Sequence, residues 1–422
     1  MRSRFLGLGV AAGLLAMIAA GSAGAATASI WTVVPSVNPQ ASQVTDTSFA
    51  GVSAISATSG WAVGTFMNAS ALENPLVEHW NGSRWTLGSA PEPSGTQAGL
   101  SGVRQLSKTN AWAVGTTATK VAGEGNIDNE PLIEHWNGAR WSIVPGVTLP
   151  TGATGDLEGV GGTGPDDLWA VGFTLSADDA REQVLFEHYD GKSWSRAPFP
   201  TQASACSPDA SDCFLDPEAV TARAANDVWV VGTVREPNPT ANFIAHWNGK
   251  AWSVVPAPCL TGQTVEATCA LTSVDLNQLS GVTALSAKDA WASGSEGNVN
   301  DQNFRVPYVL HWNGTKWALV KTPNLGGEGS MLNGITALGS RDIWAVGQTQ
   351  QLNGAIAPLT EQFTGSAWKV VASPVPGSKG RIPDDSLDGV TSPGHGLLLA
   401  VGARDIPGQC CLRSLGLKTT HG

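Results

Sequence analysis

One segment of the sequence recurs at a constant internal spacing, and this repeat restricts the fold more than any other feature. Its copies read FAGVSAISATSGWAVG, LSGVRQLSKTNAWAVG, LEGVGGTGPDDLWAVG, PEAVTARAANDVWVVG, LSGVTALSAKDAWASG, LNGITALGSRDIWAVG and LDGVTSPGHGLLLAVG. They place a small residue at Gly51, Gly102, Gly159, Ala219, Gly281, Gly334 and Gly389. In every copy 10 residues lead from this position to a Trp, or to Leu399 in the last copy. Such constancy predicts a β-hairpin, because one inserted residue would turn every following side chain to the opposite face.

A second motif follows the first six copies and reads VEHWNGSRW, IEHWNGARW, FEHYDGKSW, IAHWNGKAW, VLHWNGTKW and TEQFTGSAW. Its two aromatic positions are always 5 residues apart, and five copies have Asn-Gly or Asp-Gly between them. Both residues accept the positive φ of a tight turn, so this motif predicts a second hairpin. We also expect the Asn or Asp two positions before the first motif's Trp, as at Asn110 and Asp167, to close the first turn by bonding backbone groups.

Two hairpins per repeat predict a four-stranded blade, and the missing outer strand of the last blade is found at the N-terminus. Trp31-Thr-Val-Val-Pro35 matches Trp252-Ser-Val-Val-Pro256. The sequence therefore predicts an all-β fold, a seven-bladed β-propeller over residues 29–422, with its ring closed by the segment at Trp31. A length of 422 residues would otherwise suggest two or three domains, but a repeat architecture divides its core among the repeats.

The first 28 residues have the pattern of a secretory signal. Arg2 and Arg4 precede an apolar stretch, and Ala25 or Ala28 ends a small-residue cleavage site. Removing them leaves 22 basic and 35 acidic side chains. We expect a secreted, extracellular monomer without a membrane anchor, and no nucleic-acid partner, because its net negative charge would repel phosphate.

Export changes the interpretation of the six cysteines, because disulfides form in oxidising compartments. Cys206 with Cys213 and Cys259 with Cys269 are spaced for local bridges in the two longest inter-blade loops. The adjacent Cys410 and Cys411 form either a bridge with each other or two separate bridges, and the sequence does not distinguish these.

The candidate binding residues lie mainly in the connections of variable length, which in an up-and-down blade emerge on one face. They are Asp178, Asp179, Arg181, Glu182, Asp209, Asp212, Asp216, Asp301, Arg305, Arg381, Asp384 and Asp385. Gathered on one face, a few of these carboxylates could form a pair for glycoside cleavage or a calcium site. No loop has a run such as D-x-D-x-D-G, so solvated loop charge is the favoured interpretation, and no cofactor or metal is predicted. Arg104 and Arg223 are candidates for the wall of a central channel, because other copies have uncharged residues there.

Five histidines occupy one repeat position, at His79, His135, His188, His246 and His311, and Glu78, Glu134 and Glu187 precede three of them. Catalysis needs one asymmetric site, so these are interpreted as packing residues that bond the neighbouring sheet. The sequence has no G-x-S-x-G, H-E-x-x-H, P-loop or C-x-x-C motif, and therefore no predicted catalytic residue.

The repeat resembles that of kelch-type propellers in its aromatic, Asn/Asp-Gly turn, Trp and later Pro, as in HWNGARWSIVP, although WAVG has one Gly where kelch repeats have two. HYDGKSWS also resembles an Asp-box, and the Trp-rich style is similar to that of secreted bacterial propellers. The resemblance implies the fold and no particular activity. Copper radical oxidases of the galactose oxidase kind need tyrosine ligands. The only tyrosines here are Tyr189, which occupies a repeat position, and Tyr308, so the sequence argues against that activity.

Three functional hypotheses follow. The first is a non-catalytic recognition propeller that binds a carbohydrate or cell-surface ligand through its variable-loop face. The second is an extracellular glycoside hydrolase-like enzyme that cleaves polysaccharide with loop carboxylates. The third is an envelope protein-interaction scaffold, which predicts an exposed apolar patch on the variable face.

Overall fold

The structure is a computed structural model that describes residues 30–39, 44–70, 72–91, 93, 96–120, 127–177, 182–200, 214–235, 240–261, 264–266, 275–298, 301–323, 325, 329–351, 354–374, 384–405 and 412–420. These residues form strands and turns and no helix. None of them therefore forms a helix that is long and apolar enough to cross a membrane. The signal segment and Cys206, Cys213, Cys269, Cys410 and Cys411 lie outside the described residues, and of Cys259 only the backbone is described.

The strands form successive antiparallel sheets in the order of the repeats. After β1 (Thr32–Val34) come β2 (Val44–Ser56), β3 (Ser59–Asn68), β4 (Glu73–Trp80) and β5 (Trp85–Leu87), then β6 (Gln97–Ser107), β7 (Asn110–Lys120), β8 (Ile127–Trp136) and β9 (Trp141–Ile143), and then β10 (Thr154–Gly164), β11 (Asp167–Leu175), β12 (Glu182–Tyr189) and β13 (Trp194–Arg196). Each of these three groups of four is one sheet, with strands paired in chain order.

The following strands are β14 (Phe214–Ala224), β15 (Asp227–Arg235), β16 (Thr240–Trp247), β17 (Trp252–Val254), the small hairpin of β18 (Cys259–Thr261) and β19 (Thr264–Glu266), β20 (Asp275–Ser286), β21 (Asp289–Asn298), β22 (Asp301–Trp312) and β23 (Trp317–Val320). Strands β14–β17 and β20–β23 are linked into one eight-stranded sheet through a parallel pair, Thr240 with Leu276. Another four-stranded sheet contains β24 (Gly329–Gly339), β25 (Asp342–Gln350), β26 (Ile356–Phe363) and β27 (Trp368–Val370).

The last sheet joins the two ends of the chain. It contains β28 (Ser386–Gly394), β29 (Leu397–Asp405) and β30 (Leu412–Thr420), with β1 as its outer strand. Thr32 pairs with Lys418 and Val34 with Gly416, as expected for the segment at Trp31. The first strands of successive sheets contact one another from β2 through β6, β10, β14, β20, β24 and β28, and β28 contacts β2. The sheets therefore form a closed circle, as in a β-propeller.

Both tight turns of a repeat lie at one edge of the sheet, here called the turn edge, and the connections of variable length lie at the other, here called the loop edge. In the first sheet Ser56 pairs with Ser59, and Trp80 pairs with Trp85. Gly82 has φ 97° between the latter pair, and Asn81 Oδ1 accepts the Ser83 and Arg84 amide N–H groups. Gly82 therefore has the predicted positive φ, whereas Asn81 does not and stabilises the turn through its side chain.

Each first strand carries a β-bulge directly before the small residue of its motif. In the third sheet the pairing shifts between Leu157 and Gly159, opposite Gly172 of the WAVG segment. A Cβ on Gly172 would lie 2.0 Å from the Asp156 carbonyl oxygen, so the motif requires glycine there. The bulge turns Glu158 out of the regular alternation of the strand, and equivalent bulges occur in the other first strands.

The core is divided among the junctions between sheets and is built around tryptophan pairs. The Trp of one sheet's second strand packs edge-on against the outer-strand Trp of the next sheet, as Trp61 does against Trp141, with ring centroids 5.1 Å apart. Trp344 packs in the same way on Trp31, at 5.7 Å, where the two ends of the chain meet. The Trp content of the sequence is thus explained by packing at the junctions.

Candidate functional site

Four carboxyl groups come together where β10 and β14 begin, at the loop edge of two neighbouring first strands. Asp156 and Glu158 belong to β10, and Asp216 and Glu218 occupy the same two repeat positions on β14. Glu158 interacts electrostatically with Asp156 and Asp216, and Glu218 with Asp216 and Glu158. We call these four residues the acidic cluster. The bulge places Glu158 and Glu218 in it, because each is the extra residue of its strand.

Polar side chains from the surrounding sheets hold the acidic cluster. Arg235 of β15 donates to Asp216 in an ion pair. Asn129 Nδ2 lies 3.3 Å from Asp156 Oδ1, and Gln278 Nε2 lies 3.2 Å from Glu218 Oε1. Ser101, at the same repeat position on β6, bonds the Glu158 carboxyl. The cluster is therefore an ordered network, with one guanidinium and several neutral donors.

Burial and mutual repulsion favour the protonated form of the central glutamates. Burial, followed by the charges of Asp156 and Asp216, raises the pKa of Glu158 to about 7. Burial, followed by Asp216 and Glu158, raises the pKa of Glu218 to about 8. Burial also raises the pKa of Asp216, although the Arg235 guanidinium acts in the opposite direction. Near neutral pH Glu158 and Glu218 therefore have a large protonated fraction, and a protonated carboxyl can donate a hydrogen bond.

Asp388 has the repeat position of Glu158 and Glu218 on β28, farther around the circle of first strands. Its carboxyl accepts hydrogen bonds from Asn333 Nδ2 at 3.1 Å and from Ser386 Oγ at 3.3 Å. Burial raises the pKa of this carboxyl to about 6. The repeat position before the small residue thus carries polar or acidic groups on several sides of the central axis.

The structure brings one of the predicted binding residues, Asp216, into the acidic cluster. Arg305 of β22 lies apart from it and bonds Ser295 Oγ at 3.4 Å. Asp384 is exposed, whereas the buried Asp385 carboxyl accepts the Asp405 amide N–H at 2.8 Å and has its pKa raised by burial to about 6. Glu182 and Asp301 are described by backbone alone. The remaining candidates lie outside the described residues, namely Asp178, Asp179, Arg181, Asp209, Asp212 and Arg381.

The two arginines of the predicted channel wall both have partners. Arg104 Nε donates to the Gly162 carbonyl at 3.2 Å, which ties β6 to the first strand of the next sheet. Arg223 Nε pairs with Asp227 Oδ2 at 2.5 Å within its own sheet. These contacts favour structural roles for both guanidinium groups.

Four of the five repeat histidines pack on tryptophan and bond the Asn or Asp that was expected to close the first turn. His246 Nε2 lies 2.8 Å from Asp227 Oδ1, and its ring centroid lies 4.2 Å from that of Trp229. His135, His188 and His311 make the same bond to Asn110, Asp167 and Asp289. The partner belongs to the histidine's own sheet, so the expectation of a bond to the neighbouring sheet was wrong. A serine closes the turn in several copies, as Ser107 Oγ does for Thr109 N–H. The expectation for the turn was therefore wrong, because the carboxylate or amide has a nearby imidazole to bond.

The glutamates before the histidines point to the opposite face of the third strand and are fully buried, as is Glu361, which precedes Gln362 at the same repeat position. Glu78, Glu134, Glu187 and Glu361 are each 0% exposed. Glu78 accepts a bond from Ser36 Oγ at 2.8 Å, and Glu187 accepts the Val147 amide N–H at 3.1 Å. Both donors lie after the outer strand of the preceding sheet, so these carboxyls anchor connections between sheets.

Sequence reasoning missed Asp156 and Glu158, and it named Asp216 for its loop rather than for its strand. The usable signal was the residue immediately before the small residue of each first motif. That position reads Ala50, Ser101, Glu158, Glu218, Ser280, Asn333 and Asp388. The residue at this position varies between copies, whereas the residues on either side of it remain apolar or small. Such variation indicates that the side chain points away from the core.

Among the described residues, no group of three or more His, Cys, Asp or Glu side chains is arranged to hold a metal ion. Large exposed apolar side chains in the described part include Leu72, Leu87, Ile143 and Val370, which belong to different sheets or connections.

No protein family model matches the sequence, and no curated protein matches it. Among solved structures, YCF48 bound to D1 peptide is similar, at 12% identity and TM-score 0.51 over 94% of this chain and 100% of that chain. A PL25 ulvan lyase is similar at 9% identity and TM-score 0.48, over 84% of this chain and 89% of that one. An α-L-arabinanase of Penicillium chrysogenum, complexed with arabinobiose, is similar at 13% identity and TM-score 0.42, over 75% and 91%. These neighbours are β-propeller proteins, and the likeness to YCF48, at a TM-score of 0.51, establishes the fold alone. This chain has a β-propeller fold.

Proposed function

We propose that the protein is a secreted recognition propeller that binds a carbohydrate at the loop edge, with the acidic cluster as the centre of its site. The observation that carries this proposal is the gathering of carboxyl, guanidinium and amide groups from neighbouring sheets at one end of the first strands. Asp156, Glu158, Asp216 and Glu218 offer acceptors, and Arg235 and Gln278 offer donors. Alternating donors and acceptors on a rigid frame suit the hydroxyl groups of a sugar.

The proposal also includes the number of blades, the export and the disulfides that the sequence predicts. Seven blades account for the sheets if the eight-stranded sheet is divided at its Thr240–Leu276 link. Export through the first 28 residues and disulfides in the long loops, Cys206 with Cys213 and Cys259 with Cys269, complete a rigid extracellular monomer of kelch-like type. Export is tested by sequencing the N-terminus of protein recovered from culture medium, which should begin after Ala25 or Ala28.

Carbohydrate binding is tested with glycan arrays and with pull-down on insoluble polysaccharides. The wild-type protein should be retained. At pH 9, above the pKa values of about 7 and 8 of Glu158 and Glu218, a variant carrying both Glu158→Gln and Glu218→Gln should bind at least about tenfold more weakly, because two charge-assisted hydrogen bonds are lost. Asp190→Asn is the matched control. Asp190 lies in the tight turn between β12 and β13, and four other copies have Asn there, so this variant should bind normally. Failure of the wild-type protein to bind any glycan would refute the proposal.

A second candidate is a polysaccharide-cleaving enzyme of the glycoside hydrolase class. The observation that favours it is the contrast between Glu158 and Glu218, whose pKa values are raised to about 7 and 8, and the Arg235-paired Asp216 beside them. Glycoside cleavage needs one protonated and one ionised carboxyl. The release of reducing ends from a bound polysaccharide, abolished by Glu218→Gln, would support this candidate. Retention of the polysaccharide without cleavage would leave recognition as the function.

A further inference from the structure

Two cavities at the turn edge lie at equivalent junctions between neighbouring sheets, far along the strands from the acidic cluster. The first, of about 480 Å³, includes Ser59, Trp61 and His79 of one sheet and Lys108 and Trp136 of the next. The second, of about 450 Å³, includes the repeat equivalents Asp167, Trp169, His188, Ala225 and Trp247. Both volumes are within the range of sites for small molecules.

The aromatic frame is the same in both cavities. Trp61 and Trp136 have ring centroids 4.9 Å apart with an interplanar angle of 58°, and Trp169 and Trp247 lie 5.1 Å apart at 53°. Trp61 and Trp169 are buried, whereas Trp136 and Trp247 are half-buried. Trp136 and Trp247 therefore leave part of an indole available at the cavity wall. The face of an indole is electron-rich and suits the C–H groups of a sugar ring.

The polar groups differ between the two cavities in a way that reverses the charge. In the second cavity the Asp167 carboxylate bonds His188 at 3.0 Å, and Ala225 occupies the turn. In the first cavity Thr58 and Ser59 stand where Asp166 and Asp167 line the second, and Lys108 stands where Ala225 does. The change removes two negative charges and adds one positive charge.

Because Ser59 stands where other copies have Asn or Asp, His79 also lacks the side-chain partner of the other histidines. The four equivalent histidines bond an Asn or Asp side chain, but within the described part of the chain the His79 ring nitrogens have no hydrogen-bond partner. Ser59 Oγ is occupied by the Gln105 Nε2 donor at 2.9 Å. Burial lowers the pKa of His79, so its imidazole is neutral and has one donor and one acceptor available to a ligand.

Lys108 is exposed at the cavity rim and makes no ion pair with the described residues. The backbone of Lys108 is held in place by Trp136, whose indole N–H donates to the Lys108 carbonyl at 3.1 Å. The aromatic wall and the cation therefore belong to one local unit. The cavity combines an indole surface, a free imidazole and an ammonium group.

We propose that this first cavity is a binding site for an acidic sugar, a uronic acid whose pyranose ring packs on Trp136 and whose carboxylate is bound by Lys108. The ammonium group pairs with the carboxylate, and His79 and the hydroxyl groups of the cavity bond the ring hydroxyls. The site is independent of the acidic cluster, which would repel the same carboxylate. The second cavity has the Asp167 carboxylate in place of these groups and should not bind such a ligand.

The test is a saturation-transfer NMR titration of the full-length secreted protein with methyl β-D-glucuronide and with methyl β-D-glucoside. The two probes differ only in the carboxylate at the sixth carbon. The wild-type protein should bind the glucuronide about tenfold more tightly, the difference expected for one charge-assisted contact. Equal binding of the two probes, or saturation by neither, would overturn the proposal.

Two variants locate the contact, and one controls for the loss of charge. Lys108→Met removes the cation, and Ser59→Asp restores the carboxylate that other sheets tolerate at this position. Lys108→Met should weaken glucuronide binding about tenfold and leave glucoside binding unchanged. Ser59→Asp should weaken the binding of both probes, because an Asp at this position bonds the histidine in other sheets. Lys288→Met, in the equivalent turn of β20 and β21, should bind as the wild type does. Wild-type affinity in Lys108→Met would contradict the assignment.

The variant with Glu158→Gln and Glu218→Gln should keep glucuronide binding, so the two proposed sites can fail separately.

Discussion

At the scale of single residues, the same repeat position has different roles in different copies, and its surroundings determine which. Asp167 and Asp227 bond a histidine, whereas Ser59 leaves His79 unbonded. The sequence could predict that these positions lie in a hairpin, because spacing alone requires it. It could not predict the imidazole partner, since that contact joins strands whose separation along the chain varies between copies.

The buried glutamates make stability depend on pH in a direction that can be worked out. Glu134 and Glu361 are fully buried, their carboxyl oxygens have no hydrogen-bond partner among the described residues, and burial raises the pKa of each to about 8. In the unfolded chain these carboxyls lose their protons near pH 4.5. The folded protein thus holds more protons between these values, and its free energy of unfolding falls as pH rises through this interval.

We expect Glu134→Gln to remove about 1.4 kcal/mol per pH unit from this slope between about pH 5 and 7.5, and to be more stable than the wild type at pH 8. Urea unfolding at several pH values measures the slope. Glu73→Gln, at an exposed position, is the matched control and should follow the wild-type profile. Parallel profiles for Glu134→Gln and the wild type would show that the buried carboxyl does not carry the predicted penalty.

At the scale of strands and hairpins, the sequence predicted the pairing of each repeat but not the bulge in its first strand. A constant distance of 10 residues from Gly334 to Trp344 is compatible with regular or with bulged pairing. The bulge follows from a contact that only the structure shows. A Cβ on Gly347 would lie 2.0 Å from the Met331 carbonyl oxygen, where β24 and β25 shift register. Because the bulge also sets the direction of Glu158 and Glu218, the acidic cluster was missed for the same reason.

Gly347→Ala should therefore destabilise the protein by about 3 kcal/mol or more, because the methyl group forces the bulge to open. Gly339→Ala is a control in the same sheet, since a Cβ there would meet no atom within 4 Å. It should change the free energy of unfolding by less than about 0.5 kcal/mol. Thermal or denaturant unfolding of the two variants gives the comparison, and equal stabilities would contradict the role assigned to the bulge.

At the scale of the whole molecule, the circle of sheets depends on one short strand from the other end of the chain. Trp31 lies directly before strand β1, is 3% exposed and packs on Trp344. The sequence predicted this closure because the segment at Trp31 matches the other outer strands. It could not predict which polar groups meet at the loop edge, since that depends on how neighbouring first strands are placed around the circle.

Trp31→Ala should cost about 3 to 5 kcal/mol, the usual effect of removing a buried tryptophan side chain. The neighbouring Ile30→Ala, at a side chain that is 45% exposed, should have little effect. Hydrogen exchange in Trp31→Ala should increase first in β28 to β30, because their sheet loses its outer strand. If Trp31→Ala were as stable as the wild type, the N-terminal strand would not be needed to close the ring.

The central claim is that a carbohydrate binds at the loop edge, over the acidic cluster. The most direct measurement is hydrogen-deuterium exchange of the protein with and without the glycan that it retains best. We predict protection of the peptides that contain residues 154–158 and 214–218, where β10 and β14 begin. Protection confined to the tight turns, with these two segments unchanged, would contradict the account.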